Sequence, residues 1–154
     1  MRDIGDWFPP GYDWRAECTR MTVFYGLAFV HSLFFFGRLI DEYHGLFYYN
    51  RSVEHILRPE AKMMPYEEML GSSLMGFALL MVVALFVMLV HYLYYFQGSK
   101  SIFLAKRIPG GRFLWKTCVA GPVSFILGLA LTYGLLWLLY YGIYLCVTPS
   151  VCLP

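Results

Sequence analysis

Hydrophobic residues in this chain gather into three long blocks separated by polar segments. The first covers 22–40 and is interrupted near its end by Arg38. The second, 70–96, has no charged side chain and only His91 as an ionisable group; the third, 119–147, is again uncharged. A helix needs ~20 apolar residues to cross the hydrocarbon core of a bilayer, and none of the blocks is short enough to be the core helix of a soluble fold. The pattern therefore predicts an all-α integral membrane protein with three transmembrane helices and an N-terminal interfacial segment. The second and third blocks exceed the required length, so they tilt or run past the hydrocarbon.

Composition points the same way. Of 154 residues, 59% are hydrophobic, 19% aromatic and only 14% charged. That excludes a disordered chain, which needs more charge and fewer aromatic residues, and it argues against a water-soluble monomer. A single membrane domain over 1–154 is expected, in contact with the lipid bilayer and with no nucleic-acid partner. The acidic residues Asp3, Asp6, Asp13 and Glu17 ahead of the first block do not suit a cleaved signal peptide. Ile4 to Trp14 holds three further aromatic residues and the Pro9-Pro10-Gly11 turn. It reads as an interfacial anchor or as an elbow helix packed on the spans.

Net charge is +2, but its distribution gives a direction. Segment 41–69 has three basic and six acidic residues, whereas 97–118 has Lys100, Lys106, Arg107, Arg112 and Lys116 and no acid. Positive charge is retained on the cytoplasmic side. The 97–118 segment is therefore expected in the cytoplasm, together with segment 1–20. The 41–69 loop and the tail 148–154 are then external, and the protein is a multi-pass protein of the cell membrane. Asn50-Arg51-Ser52 on the outer side fits a glycosylation acceptor.

Candidate chemistry is sparse. No phosphate-binding Gly-x-x-x-x-Gly-Lys-Ser/Thr pattern occurs, so the chain is not expected to hydrolyse nucleotide itself. His31 lies ~15 Å from the cytoplasmic end of its span and His91 ~8 Å from the end of its own. Unmatched depths disfavour a pair of axial haem ligands, and each histidine is better read as bonding a neighbouring helix or facing a cavity. A haem or quinone anchor using them stays open as an alternative, as does a small structural or regulatory membrane protein. Asp41, Glu42 and His44 read as a hydrated helix end, and Met63, Met64 and Met69 as packing rather than soft-metal ligands. Arg38 either snorkels to water, the default, or pairs with Asp41 or Glu42. Cys146 and Cys152 are close enough in sequence to bridge, but separate thiols are the simpler reading. No catalytic set, metal site or cofactor is expected.

Two further features point to partners. Ser124, Gly128 and Thr132 recur every four residues in the third block, and Ser72 and Gly76 open the second. Such small residues let helix backbones approach closely in lipid, which makes them candidate helix-packing positions within the chain or with a second membrane chain. In the basic segment, the apolar patch Ile102-Phe103-Leu104 is framed by Lys100, Lys106 and Arg107. Ile108-Pro109 then breaks the run, and Arg112, Phe113 and Lys116 restart an amphipathic turn. The bland reading is a basic loop on anionic lipid; the sharper one is a docking element for a cytoplasmic protein.

This segment resembles the cytoplasmic loop of bacterial type-two ATP-binding-cassette export permeases. Many of these carry a Leu-Pro-x-x-Arg signature, to which Ile108, Pro109 and Arg112 correspond, with Lys100, Lys106 and Arg107 in the preceding stretch. Ala120-Gly121 resembles the small residues that open the family's next helix, and the N-terminal interfacial segment its connecting helix. Isoleucine stands where leucine is usual, and Lys116 follows Pro109 more closely than the family's basic residue often does. Such permeases usually have six spans. The resemblance thus implies a half-length, non-catalytic transporter subunit completed by a second membrane chain. Its ATPase partner would bind the ATP and dock at Lys100, Phe103, Lys106, Arg107, Pro109 and Arg112.

Overall fold

A computed structural model describes residues 13–49, 55–57, 62–97 and 111–152. In order along the chain come α1 (Trp14–Ser32), α2 (Phe34–Gly45), β1 (Phe47–Tyr49), β2 (His55–Leu57), α3 (Tyr66–Leu70), α4 (Met75–Gln97) and α5 (Gly111–Val147). A single 3-10 turn, Ser150–Cys152, follows. Three helical stretches are long and apolar enough to cross a membrane: Trp14–Gly45, Met75–Leu93 and Cys118–Val147. The chain is therefore an all-helical membrane protein. One small antiparallel hairpin, β1 against β2 with Tyr48 opposite Ile56, interrupts the helices inside the segment expected as a loop.

The span boundaries correct the sequence reading. The first helix begins at Trp14 rather than at 22, because Asp13 caps it: its carboxylate accepts the Ala16 N–H at 3.2 Å. Residues 14–20 are thus helical and continuous with the first spanning stretch. At the other end Asp41, Glu42 and His44 lie in the last turns of α2, which agrees with their reading as a helix end and carries the helix a few residues into the segment expected as a loop. Between α1 and α2 the ladder changes partner. Ser32 Oγ donates to the Phe29 carbonyl at 2.6 Å, the oxygen that the Leu33 N–H would otherwise use. Leu33 N–H turns to Val30 O at 3.1 Å, and Phe36 N–H to Leu33 O at 3.0 Å, a tightened turn that breaks the helix.

The second span starts at Met75, not at 70. α3 ends in a turn at Gly71, whose φ of +44° suits glycine, and Gly71 N–H closes on Glu67 O at 3.1 Å. Ser72 is therefore in a turn, so it and Gly76 do not form a helical stripe. The third helix begins at Gly111 and takes in Arg112 and Lys116, which the sequence reading had placed in a loop. Its 37 residues make it ~55 Å long, well beyond the hydrocarbon thickness, so a charged first turn is tolerated. Pro122 lies inside α5 without ending it. Segment 1–12, Asn50-Arg51-Ser52 and the basic run 98–110 lie outside the described residues.

The chain forms two compact units, each drawn from separate stretches: Met1–Gly26 with Phe77–Thr132, and Leu27–Gly76 with Tyr133–Pro154. In the first, Phe77, Leu80, Ala84, Cys118 and Leu129 are buried, and Tyr25 sits edge-on to Phe77 with centroids 5.7 Å apart. In the second the interior is aromatic and sulfur-rich. Phe35 stacks on Tyr140 at 4.6 Å with planes 1° apart, and Tyr66 meets Trp137 and Tyr141 edge-on. Met63 and Met69 are fully buried beside them. Large apolar side chains face outward on all three spans, among them Val30, Leu79, Phe86, Leu127 and Leu131. Such a surface suits lipid rather than water.

Candidate functional site

Two places hold polar chemistry inside these apolar elements. The first lies in the unit made by Met1–Gly26 and Phe77–Thr132. Glu17, one turn into α1, meets His91 near the end of α4: His91 Nε2 and Glu17 Oε2 are 3.0 Å apart. Glu17 is 9% exposed and His91 1%. Burial at this depth makes a lone carboxylate costly, and a hydrogen-bonded partner removes most of that cost. The pair ties α1 to α4. A second tie lies further along α1, where Tyr25 and Thr132 hydroxyls are 2.9 Å apart. Thr132 Oγ1 also bonds Gly128 O at 2.9 Å, so its proton goes to that carbonyl and Tyr25 is the donor to Thr132.

The second place belongs to the other unit. His31 Nδ1 is 3.1 Å from the Ser73 carbonyl, which can only accept, so the proton sits on Nδ1. The ring also packs edge-on to Phe34 at 5.6 Å. Beside it a cavity of about 380 Å³ is lined by His31, Phe34, Gly37, Arg38, Asp41 and the Ser72-Ser73 turn. Arg38 is exposed, makes no ion pair with Asp41 or Glu42, and lies so close to Gly71 that a Cβ there would collide with its guanidinium. Snorkelling, the default expectation, describes its exposure but not this contact.

The same unit holds a set of hydroxyl-to-backbone bonds. Tyr66 Oη donates to Trp137 O at 2.7 Å, Tyr144 Oη to Met64 O at 3.0 Å, and Ser32 Oγ receives the Tyr140 hydroxyl at 2.9 Å. Thr148 Oγ1 lies 3.0 Å from Met63 Sδ, and Met63 N–H bonds Cys152 O at 2.9 Å. The Tyr66, Tyr144, Thr148 and Met63 bonds fasten the 62–70 segment to α5 and the turn after it, while Ser32 and Tyr140 tie α1 to α5. Burial pushes the Tyr66 hydroxyl up to about 12, with smaller contributions from Tyr133 and Tyr140.

Among the residues expected to pack helices, the structure separates two kinds. Gly76 is in close contact: a Cβ there would stand 3.3 Å from Ala28 Cα and Cβ. Gly128 has open space, with nothing within 4 Å of the same position, and Ser124 is exposed. Thr132 is turned to Tyr25. Each histidine considered for haem has a protein partner of its own, in keeping with the expectation that they bond neighbouring elements. Of the three methionines read as packing, Met63 and Met69 are buried and Met64 is exposed. Cys146 is exposed and Cys152 buried, both as free thiols. Of the docking residues, Lys100, Phe103, Lys106, Arg107 and Pro109 lie outside the described residues, and Arg112 is placed only as a residue of α5.

Sequence reading missed the Glu17–His91 pair because Glu17 was counted among charges ahead of the membrane. The signal was present. An acid near the start of one span and a histidine near the end of the next reach the same level when the helices run antiparallel. No protein-family model matches this chain, and no curated protein or solved structure shows significant similarity to it.

Proposed function

We propose that the protein is a non-catalytic membrane subunit of a multi-chain transporter, driven by an ATPase that docks on its basic segment. The observation that carries the reading is the unfilled face of α5. Small residues let helices approach, and the chain fills the position at Gly76 with its own Ala28 while leaving Gly128 open beside exposed Ser124. A face of that kind suits a second membrane chain. The run of Lys100, Lys106, Arg107 and Arg112 without an acid supports an inner-side location and a soluble partner there.

Gentle solubilisation and identification of companions tests this. An ATPase and another multi-span protein are the expected companions, and a clean monomer would overturn the reading. Two substitutions localise the contacts. Gly128→Leu should leave the stability of the isolated chain within about 0.5 kcal/mol, since the position is open, yet release the second membrane chain. Charge reversal at Lys106 and Arg107 should release or uncouple the ATPase and leave the membrane companion bound.

A further inference from the structure

The cavity beside His31 carries charges that the helix packing does not use. Arg38 and Asp41 are three residues apart on α2, a spacing that puts their Cβ atoms about 5–6 Å apart on one face. They could close on each other and do not: no ion pair forms within 4 Å, and the guanidinium lies instead against the Gly71 turn. Both line the same cavity. Asp41 is exposed and makes no hydrogen bond or ion pair among the described residues.

We propose that this cavity binds a phosphoethanolamine group, with Arg38 and the Ser72 hydroxyl on the phosphate and Asp41 on the primary ammonium. One cation and one anion make the lining electrically balanced, which fits a zwitterion better than an anion or a cation. Guanidinium presents paired N–H donors to phosphate oxygens, and a carboxylate accepts from an ammonium that carries N–H groups. A choline group has no N–H to donate and relies on several surrounding aromatic faces, whereas the cavity offers only Phe34 and the His31 ring. The source expected is a diacyl lipid. The cavity lies towards the end of the first spanning stretch, where charged side chains sit at headgroup level, and exposed Phe34 in its lining offers apolar surface for acyl chains.

The test is the melting midpoint of the full chain in neutral detergent. It is titrated with dioctanoyl phosphatidylethanolamine, phosphatidylcholine or phosphatidylglycerol, and separately with free phosphoethanolamine. Phosphatidylethanolamine should act at concentrations about tenfold below the other two lipids, the worth of one charge-assisted contact. Asp41→Asn should bring the ethanolamine and choline lipids within about twofold of each other, and Arg38→Gln should weaken both about tenfold. Stabilisation by the diacyl lipid and not by the free compound assigns the site to lipid, the expected result; the reverse assigns it to a soluble ligand of the same chemistry. Equal response to all three lipids, or an Asp41→Asn variant that keeps the full preference, overturns the proposal. Because Asp41 is exposed and unpaired among the described residues, that variant remains informative even if Arg38→Gln fails to fold.

Discussion

The two compact units solve the same problem with different chemistry. In the one built from Met1–Gly26 and Phe77–Thr132, long helices bury Phe77, Leu80, Ala84 and Leu129, and side-chain polar bonds tie helix to helix, among them Glu17 to His91 and Tyr25 to Thr132. In the one built from Leu27–Gly76 and Tyr133–Pro154, short helices, turns and a hairpin are held by stacked rings and by hydroxyls bonded to backbone carbonyls. The difference follows from backbone accounting. A continuous helix satisfies its own N–H and C=O groups, so its side chains need only pack. Broken backbone leaves carbonyls open at Phe29 and Met64, and serine and tyrosine side chains close them; the Tyr66 hydroxyl adds a bond to Trp137 O inside α5.

If that contrast is right, the first unit should be sensitive at one point and the second at many. His91→Leu should be the most damaging single change, costing about 3 kcal/mol or more, because it takes one hydrogen-bonded partner from a buried Glu17 carboxyl. Pairing it with Glu17→Leu should recover most of the loss, since the desolvated charge is then gone. A double-mutant cycle on melting in detergent reads both, and additive losses would show that the two residues act separately. Next in size is Tyr140→Ala, at about 3 kcal/mol from the void left beside Phe35. Tyr140→Phe should cost only about 1 kcal/mol, the loss of one hydrogen bond to Ser32. A Phe variant as damaging as the Ala variant would move the weight from ring packing to the hydroxyl.

The same contrast explains what could be read from the amino acids. Three spans were legible because length and apolarity alone dictate them. Their ends were less so. The first helix starts at Trp14 because a single carboxylate caps it, and α5 extends back to Gly111 because charged turns beyond the hydrocarbon cost little. The break at Leu33 was hidden for another reason. It depends on Ser32 turning to Phe29 and receiving the hydroxyl of Tyr140, a residue 108 positions away. Contacts of that range have no local signature. Gly76 lies against Ala28, but Ser72 belongs to a turn set by Gly71, which a four-residue spacing rule does not register. The basic run 98–110, the best-specified stretch in sequence, lies outside the described residues.

Gly71→Ala probes the irregular backbone of the second unit directly. The positive φ at Gly71 costs a residue with a Cβ about 1–3 kcal/mol, and the new methyl would also displace the Arg38 guanidinium. We expect a loss of that size in thermal melting, together with weaker headgroup preference at the neighbouring cavity. Substituting Gly134 in α5, where no atom lies within 4 Å, should cost the isolated chain nothing and serves as the control.

The smallest effect distinguishes the units by pH. Tyr66 holds its proton up to about 12 because its ring is buried between Trp137, Tyr141 and Tyr144, whereas an unfolded tyrosine ionises near 10. A raised acid constant in the folded state means that the unfolded chain gives up the proton first. The contribution is complete below pH ~10 and drains away as pH rises from ~10 to ~12. Tyr66→Phe should lower stability by about 1 kcal/mol at neutral pH, through the lost bond to Trp137 O. It should also flatten part of the alkaline decline. The measurement is the melting midpoint from pH 8 to 12 for both proteins. If the two curves stay parallel above pH 10, the buried phenol is not what couples the second unit to alkali, and its hydroxyl serves only as a backbone tie.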